Sequence, residues 1–174
     1  MTDPRYPLGR YVPDPVPTLE TRTLHIENIA ALPKNMRHAL KGLKDNQLDT
    51  PYRDGGWTVR QVAHHVPDSH LNAYVRFKLA MTEDSPTIKA YDEGAWAQLK
   101  DSQLTPVEVS LTLLDSLHAR WEVLLRSMKP SDFQRKFNHP ESGPHDVDWL
   151  LGLYSWHGNH HVAHITSLRE KMGW

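Results

Sequence analysis

The chain has 174 residues, no cysteine and a formal net charge of -1. We therefore expect one domain over residues 1–174, with no disulfide, thiolate metal site or cysteine nucleophile. Because acidic and basic residues are interspersed, the charge pattern argues against a nucleic-acid partner and against a polybasic membrane contact.

The chain shows no signal for a membrane or for secretion. No apolar run approaches the roughly 20 residues that a membrane-spanning helix needs. The first residues, Met1-Thr2-Asp3-Pro4, lack the basic and apolar regions of a signal peptide. We therefore expect a soluble, cytoplasmic protein without a membrane partner.

Residues 1–17 contain five prolines, which favours an extended arm over a helix. Aromatic residues within this arm give it side chains to pack, so we expect it to lie on the body of the domain. A first helix should begin near Thr18, since apolar residues then recur at steps of three and four. Pro33 falls inside this pattern and should kink or divide the helix.

A second helix should open at Thr58, because Thr58 and Gln61 form a capping box. Pro67 lies in its interior and should bend it beside His65. The connection from Thr82 to Leu104 is long, with one short helix predicted between Tyr91 and Leu99. A crossover of this length removes the need for simple up-down order.

A third helix should begin at a second capping box, Thr105 with Glu108, and have Pro106 in the first helical position. Residues 138–144 are rich in turn formers and predict a loop. A fourth helix should start near Asp146 and stop at Gly173. Without convincing strands, the pattern predicts an all-α four-helix bundle with a long crossover between its second and third helices and a proline-rich N-terminal arm.

Histidine is unusually frequent in this chain, with twelve residues, and two of them share the inward face of the fourth helix. His157 and His161 are four residues apart, so their Cβ atoms should lie roughly 5–6 Å from each other. Buried imidazoles without partners cost free energy. Either the pair bonds to carbonyls and acids as structural histidines, or it binds a metal ion, which we favour for this spacing.

A third metal ligand should come from the second helix. His64 and His65 are adjacent and point about 100° apart, and His65 lies closer to the buried face. Three neutral imidazoles leave one coordination position open, which is typical of catalytic zinc. Nickel also suits imidazole. Of the remaining histidines in the fourth helix, His160 or His164 could hydrogen-bond to a ligand histidine, but we favour His160 at the surface and His164 in the packing.

Asp68 is the one acid that we single out near this set. It could orient a ligand histidine or accept a proton at the metal. The equally good alternative is a helix-face acid paired with a base. Asp115 and His118 suggest a di-iron site, but such bundles use Glu-x-x-His, which this chain lacks.

The sequence resembles the DinB/YfiT-like superfamily of metal-binding four-helix proteins, and most closely its YfiT branch. The resemblance covers nearly the whole chain. It is carried by Arg5–Gly9, Gln47–Val62, Asp68–His70, Arg76–Lys78, Tyr91-Asp92, Leu151–Tyr154 and Trp156-His157. Pro67 departs from the family, which usually has alanine there.

The resemblance implies one zinc or nickel ion on three histidines, which map to His65, His157 and His161. It also implies a cytoplasmic homodimer. Related members are described as metal-dependent hydrolases or as thiol S-transferases that use bacillithiol or mycothiol.

We therefore predict a metal-dependent enzyme that conjugates a small thiol to a small electrophile. The alternatives are a hydrolase that uses metal-activated water and a non-catalytic, metal-stabilised binding protein, in which Asp68 could be a fourth ligand.

Overall fold

Four long helices pack around a common core in the computed structural model, which describes residues 3–174. The predicted four-helix bundle is confirmed. The long helices are α1 (Leu19–Leu40), α3 (Val59–Thr82), α6 (Val107–Ser127) and α7 (Val147–Met172). The connections contain the single-turn helices α2 (Asp45–Leu48), α4 (Glu93–Trp96) and α5 (Asp101–Leu104), a 3-10 turn (Asp132–Gln134) and the strands β1 (Lys136–His139) and β2 (Gly143–Asp146).

The long helices are not arranged in simple sequential order. Helix α1 packs against α6 and α7, and α3 packs against the same two helices. Consecutive long helices α1 and α3 are therefore diagonal to one another, and they are joined by residues 41–58, which include α2. The crossover at residues 83–106 joins α3 to its neighbour α6. Across the described residues, no helix combines the length and apolarity needed to cross a bilayer.

Three helix ends form at the residues that carry the capping signals. The Thr58 side chain accepts a hydrogen bond from the amide of Gln61, whose side chain accepts the amide of Thr58 in return. Asp146 accepts the amide of Trp149 at the start of α7. Gly173 ends α7 with φ 70°, in the left-handed region that favours glycine.

The predicted capping box at Thr105 is wrong. Helix α6 begins after Pro106 and has no side-chain cap. The reason is a tertiary contact, because the Glu108 carboxylate pairs with Arg37 of α1 at 2.8 Å instead of turning back to the Thr105 amide.

The loop predicted at residues 138–144 is also wrong, because part of it belongs to an antiparallel hairpin of β1 and β2. Phe137 anchors the hairpin and is fully buried. The backbone of Asn138 also bonds to Pro86 and Ile88 of the crossover. Strands of four residues are too short to show a period of two, so these long-range bonds decide the structure.

The proline-rich arm contains no helix or strand between residues 3 and 17. The Tyr11 hydroxyl donates to the carbonyl of Trp149 at 3.1 Å, so this part of the arm lies along α7. Met1 and Thr2 of the predicted arm are outside the described residues.

Gly158 allows α1 and α7 to approach closely beside the predicted metal ligands. A Cβ atom there would lie 2.5 Å from Leu32 Cδ2 and 2.9 Å from Cδ1. We expect Gly158→Ala to destabilise the fold by roughly 1–3 kcal/mol through overpacking, although alanine favours helix by about 1 kcal/mol. Urea unfolding measures this change. In a Leu32→Ala background the clash is gone, so the same substitution should cost little; an equal cost in both backgrounds would contradict the packing argument.

Candidate metal centre

A layer of histidines separates two halves of the hydrophobic core. It contains His70 on α3, His118 on α6, and His157 and His161 on α7. Apolar residues flank the layer on each helix: Val66 and Ala73 on α3, Leu114 and Trp121 on α6, Tyr154 and Ile165 on α7. Buried imidazoles in such a position need hydrogen-bond partners or a ligand.

The structure brings the three predicted metal ligands together. One nitrogen atom from each of His65, His157 and His161 lies within 4.8 Å of the others. The Nε2 atoms of His65 and His157 are 3.3 Å apart. Two nitrogens bound at 2.0–2.1 Å to one tetrahedral ion are separated by about 3.3–3.4 Å. The donor set and its spacing therefore fit a divalent ion such as zinc or nickel.

A chain of imidazoles points the Nε2 lone pair of His157 into this cluster. His118 Nδ1 lies 2.6 Å from the carbonyl of Ile29, which can only accept, so this nitrogen carries the proton. His118 Nε2 then accepts from His70 Nδ1 at 3.0 Å. His70 Nε2 in turn accepts from His157 Nδ1 at 3.2 Å, which leaves His157 Nε2 unprotonated. We call this series of hydrogen-bonded imidazoles the His118 relay.

Pro33 frees the carbonyl at the end of the His118 relay, which is that of Ile29. In an uninterrupted helix the carbonyl of Ile29 would accept the amide of residue 33, but proline has no amide hydrogen. Helix α1 nevertheless continues through Pro33 to Leu40 instead of dividing. The released carbonyl accepts from His118 instead.

A second, shorter chain orients His161. His164 Nε2 donates to the carbonyl of Arg5 at 3.2 Å. Its Nδ1 atom is then an acceptor for His161 Nδ1 at 3.3 Å, so the Nε2 of His161 keeps its lone pair. The Tyr52 ring stacks on His164 with centroids 4.1 Å apart. A backbone carbonyl of the N-terminal arm therefore belongs to the surroundings of the metal centre.

Burial keeps the three clustered histidines neutral. Burial, together with the smaller effect of the nearby His164, lowers the pKa of His65 to about 4. Burial, followed by the neighbouring histidines, holds the pKa values of His157 and His161 well below their usual range. Neutral imidazole is the form that binds a metal ion. The environment therefore favours metal binding at neutral pH.

Because His118 is buried, we expect the free energy of unfolding to depend on pH. Burial lowers its pKa from 6.5 to about 4, so below pH 6.5 the unfolded chain binds a proton that the folded chain rejects. The contribution to stability is complete above pH 6.5 and is lost as the pH falls towards 4. From pH 7 to pH 5, metal-free wild type should lose about 2 kcal/mol more than His118→Phe. Urea unfolding at both pH values measures this, and equal losses would contradict it.

A cavity of about 330 Å³ opens onto the cluster. His157 keeps some exposed surface there, whereas His65 and His161 are buried. The wall combines aromatic, acidic and basic side chains, which include Trp57, Ser69, Arg76, Tyr91, Glu93, Glu141, Tyr154 and Trp156. A small molecule can therefore reach the histidine nitrogens from one side.

The prediction that His160 lies at the surface is wrong. His160 is 6% exposed and stacks on Trp156 with ring centroids 4.3 Å apart. Tyr6 of the arm lies over it at 6.1 Å. The helical pattern could not reveal the part of this burial that Tyr6 provides, because Tyr6 comes from a distant part of the chain. The prediction that His164 packs is confirmed, since it is 4% exposed.

Asp68 does not join the histidine cluster or the wall of the cavity. Burial, together with the smaller effect of the nearby Asp101, raises the pKa of Asp68 to about 6. The side chains that hydrogen-bond to the clustered histidines are His70 and His164 instead. Sequence reasoning missed the role of His70, although it lies within one of the segments that carry the family resemblance.

Comparison with known proteins gives a consistent result. Residues 28–165 match the family model of the DinB superfamily. The chain is 57% identical to a protein from Bacillus mycoides strain KBAB4 and 55% identical to one from Bacillus cereus strain B4264, in each case over 100% of both chains. Both relatives carry the provisional name metal-dependent hydrolase.

Two solved structures share the architecture. The first is YfiT from Bacillus subtilis, described as a probable metal-dependent hydrolase with an unusual four-helix bundle topology. It matches with a TM-score of 0.97 and 47% identity, over 99% of each chain. The second, TT2238, is described as a four-helix bundle protein. It matches with a TM-score of 0.60 and 20% identity over 84% of this chain and 99% of its own, which supports the fold alone.

Proposed function

Since the chain belongs to the DinB superfamily, we propose that it is an enzyme that uses one divalent metal ion held by His65, His157 and His161. The convergence of these three imidazoles at the wall of an open cavity carries this proposal. Three neutral imidazoles leave a coordination position for a substrate, and the nitrogen donors suit zinc or nickel.

The reaction that we propose first is transfer of a small thiol to a small electrophile. A divalent ion at this position would lower the pKa of a coordinated thiol or water molecule. Within residues 3–174, the cluster contains histidines alone, and the carboxylates of the cavity wall that could serve as a base lie outside it. A thiol that loses its single proton on coordination needs no such base, which favours a thiol over water as the nucleophile.

Hydrolysis is the second candidate, and the provisional names of the relatives favour it. Glu93 and Glu141 are exposed side chains that line the same cavity, and either could accept a proton from water. We do not adopt the third possibility, a closed metal site without catalysis, because Asp68 is outside the cluster that it would have to complete.

The two reactions are separated by their dependence on thiol. Zinc- or nickel-loaded protein would be mixed with bacillithiol and 1-chloro-2,4-dinitrobenzene, and in parallel with chromogenic esters and amides. In the transfer reaction a sulfur–carbon bond forms, chloride leaves and the thiol proton goes to solvent. Conjugation that disappears in His65→Ala supports transfer. Ester or amide cleavage that needs no thiol would overturn it in favour of hydrolysis.

A further inference from the structure

Arg76 is a buried cation without a carboxylate partner. It is 9% exposed. Its Nη1 donates to the Tyr154 hydroxyl at 3.4 Å and its Nη2 to the carbonyl of Lys89 at 3.3 Å. Both hydrogen bonds are long and both acceptors are neutral. Among residues 3–174, no acidic side chain lies within ion-pair distance of this guanidinium.

Two other poorly exposed arginines of the same chain do form ion pairs with carboxylates. Arg60 is also 9% exposed and pairs with Asp49 at 2.7 Å. Arg22 pairs with Asp148, also at 2.7 Å. Leaving a buried charge unpaired is costly. A guanidinium has five donors in a planar fork that fits a carboxylate, so Arg76 retains the capacity to bind one.

Arg76 lies on the wall of the cavity that contains the histidine cluster. It is eleven residues beyond His65 on α3, which corresponds to a rise of about 16 Å. Helical side chains tilt towards the N-terminus of their helix, so the arginine side chain extends towards His65. A ligand that touches both must span less than this rise.

The remaining charges at the cavity restrict the ligand further. Glu93 and Glu141 are exposed residues of its lining. Their carboxylates repel a polyanion such as a phosphate ester, whereas a single carboxylate can pair with the buried guanidinium.

We propose that Arg76 binds the carboxylate of a small organic substrate whose reactive group lies at the histidine cluster. The placement of the reactive group rests on the proposed function, but the pairing of Arg76 with a carboxylate does not. The substrate class is therefore a small organic acid of intermediate length, with the carboxylate at the end that contacts Arg76.

The test compares ligands that differ only in this charge. Cobalt(II)-loaded protein would be titrated with ω-mercaptoalkanoates of three, six and eight carbons and with mercaptoalkanols of the same lengths, following the thiolate-to-cobalt absorption band. At an intermediate length the carboxylate should bind wild type at least about tenfold tighter than the alcohol. Arg76→Gln should abolish this advantage and Arg76→Lys should retain part of it. Arg120→Gln, which removes an exposed arginine outside the cavity lining, should leave the advantage intact.

If the acid and the alcohol bind wild-type protein equally at every length, Arg76 does not bind the carboxylate. This test uses wild-type protein only, so it does not depend on the folding of a variant. Absence of the absorption band would count against the metal centre instead. In that case, calorimetric titration of metal-free protein with octanoate and 1-octanol decides the question for Arg76. Preference for octanoate that is lost in Arg76→Gln supports the pairing, and no preference rejects it.

Discussion

The His65→Ala variant should no longer bind one metal ion per chain. Removal of a residue that only hydrogen-bonds to a ligand can weaken metal binding by up to roughly 100-fold, and removal of a ligand should weaken it more. The substitution removes one of three converging nitrogens and leaves two donors, both on α7. Metal content after dialysis and competition with a chromophoric chelator would measure the change. A variant that still binds one ion per chain with wild-type affinity would refute the centre.

His64 provides a matched control in the adjacent position. It is as deeply buried as His65, with 4% of its surface exposed against 7%. Its imidazole pairs with the Ser110 hydroxyl at 2.7 Å and the Thr105 carbonyl at 3.0 Å instead of facing the cluster. His64→Ala should therefore keep one ion per chain and lose about 1–3 kcal/mol of stability from the unsatisfied polar groups.

His70→Phe should weaken metal binding by about 10–100-fold, although no ligand is removed. The substitution takes away the acceptor of His157 Nδ1 in the His118 relay. His157 is then free to place its proton on Nε2, which competes with the metal, and its ring is held less firmly. Chelator competition measures the affinity, and nitrogen-15 NMR of the imidazoles identifies the tautomer of His157.

The tautomer separates this role of His70 from simple packing. In wild type we expect His157 to carry its proton on Nδ1, and in His70→Phe we expect a mixture of tautomers. His145→Phe is a suitable control, because His145 stacks on Trp149 at 3.8 Å and is outside the His118 relay. If His70→Phe binds metal as tightly as this control, the His118 relay does not tune the centre.

Much of the fold could be predicted because its signals are local. Three helix ends depend only on residues within a few positions, and all three appear in the structure. They are the capping box at Thr58, the N-cap at Asp146 and the C-cap at Gly173. Local reasoning failed where a distant partner decided the outcome. Glu108 pairs with Arg37 of α1 instead of capping α6. The hairpin at residues 136–146 is stabilised by hydrogen bonds to the crossover.

The same division holds for the candidate site. The i,i+4 spacing of His157 and His161 and the inward position of His65 are properties of helices, so the sequence identified the three residues that the structure brings together. The partners that orient them come from other elements. His118 on α6 and the carbonyl of Arg5 in the arm have no periodic relation to the ligands.

Pro33 illustrates both what a local pattern predicts and what only the tertiary structure decides. The sequence alone established that an imino acid interrupts the hydrogen bonding of α1, because proline has no amide hydrogen wherever it occurs. Only the tertiary structure determined that the carbonyl released in this way, that of Ile29, accepts from His118 and so sets the protonation of His70 and His157. A tautomer is decided by the acceptor that a ring nitrogen meets across the core, and that acceptor is chosen by helix packing, which no local pattern of residues encodes.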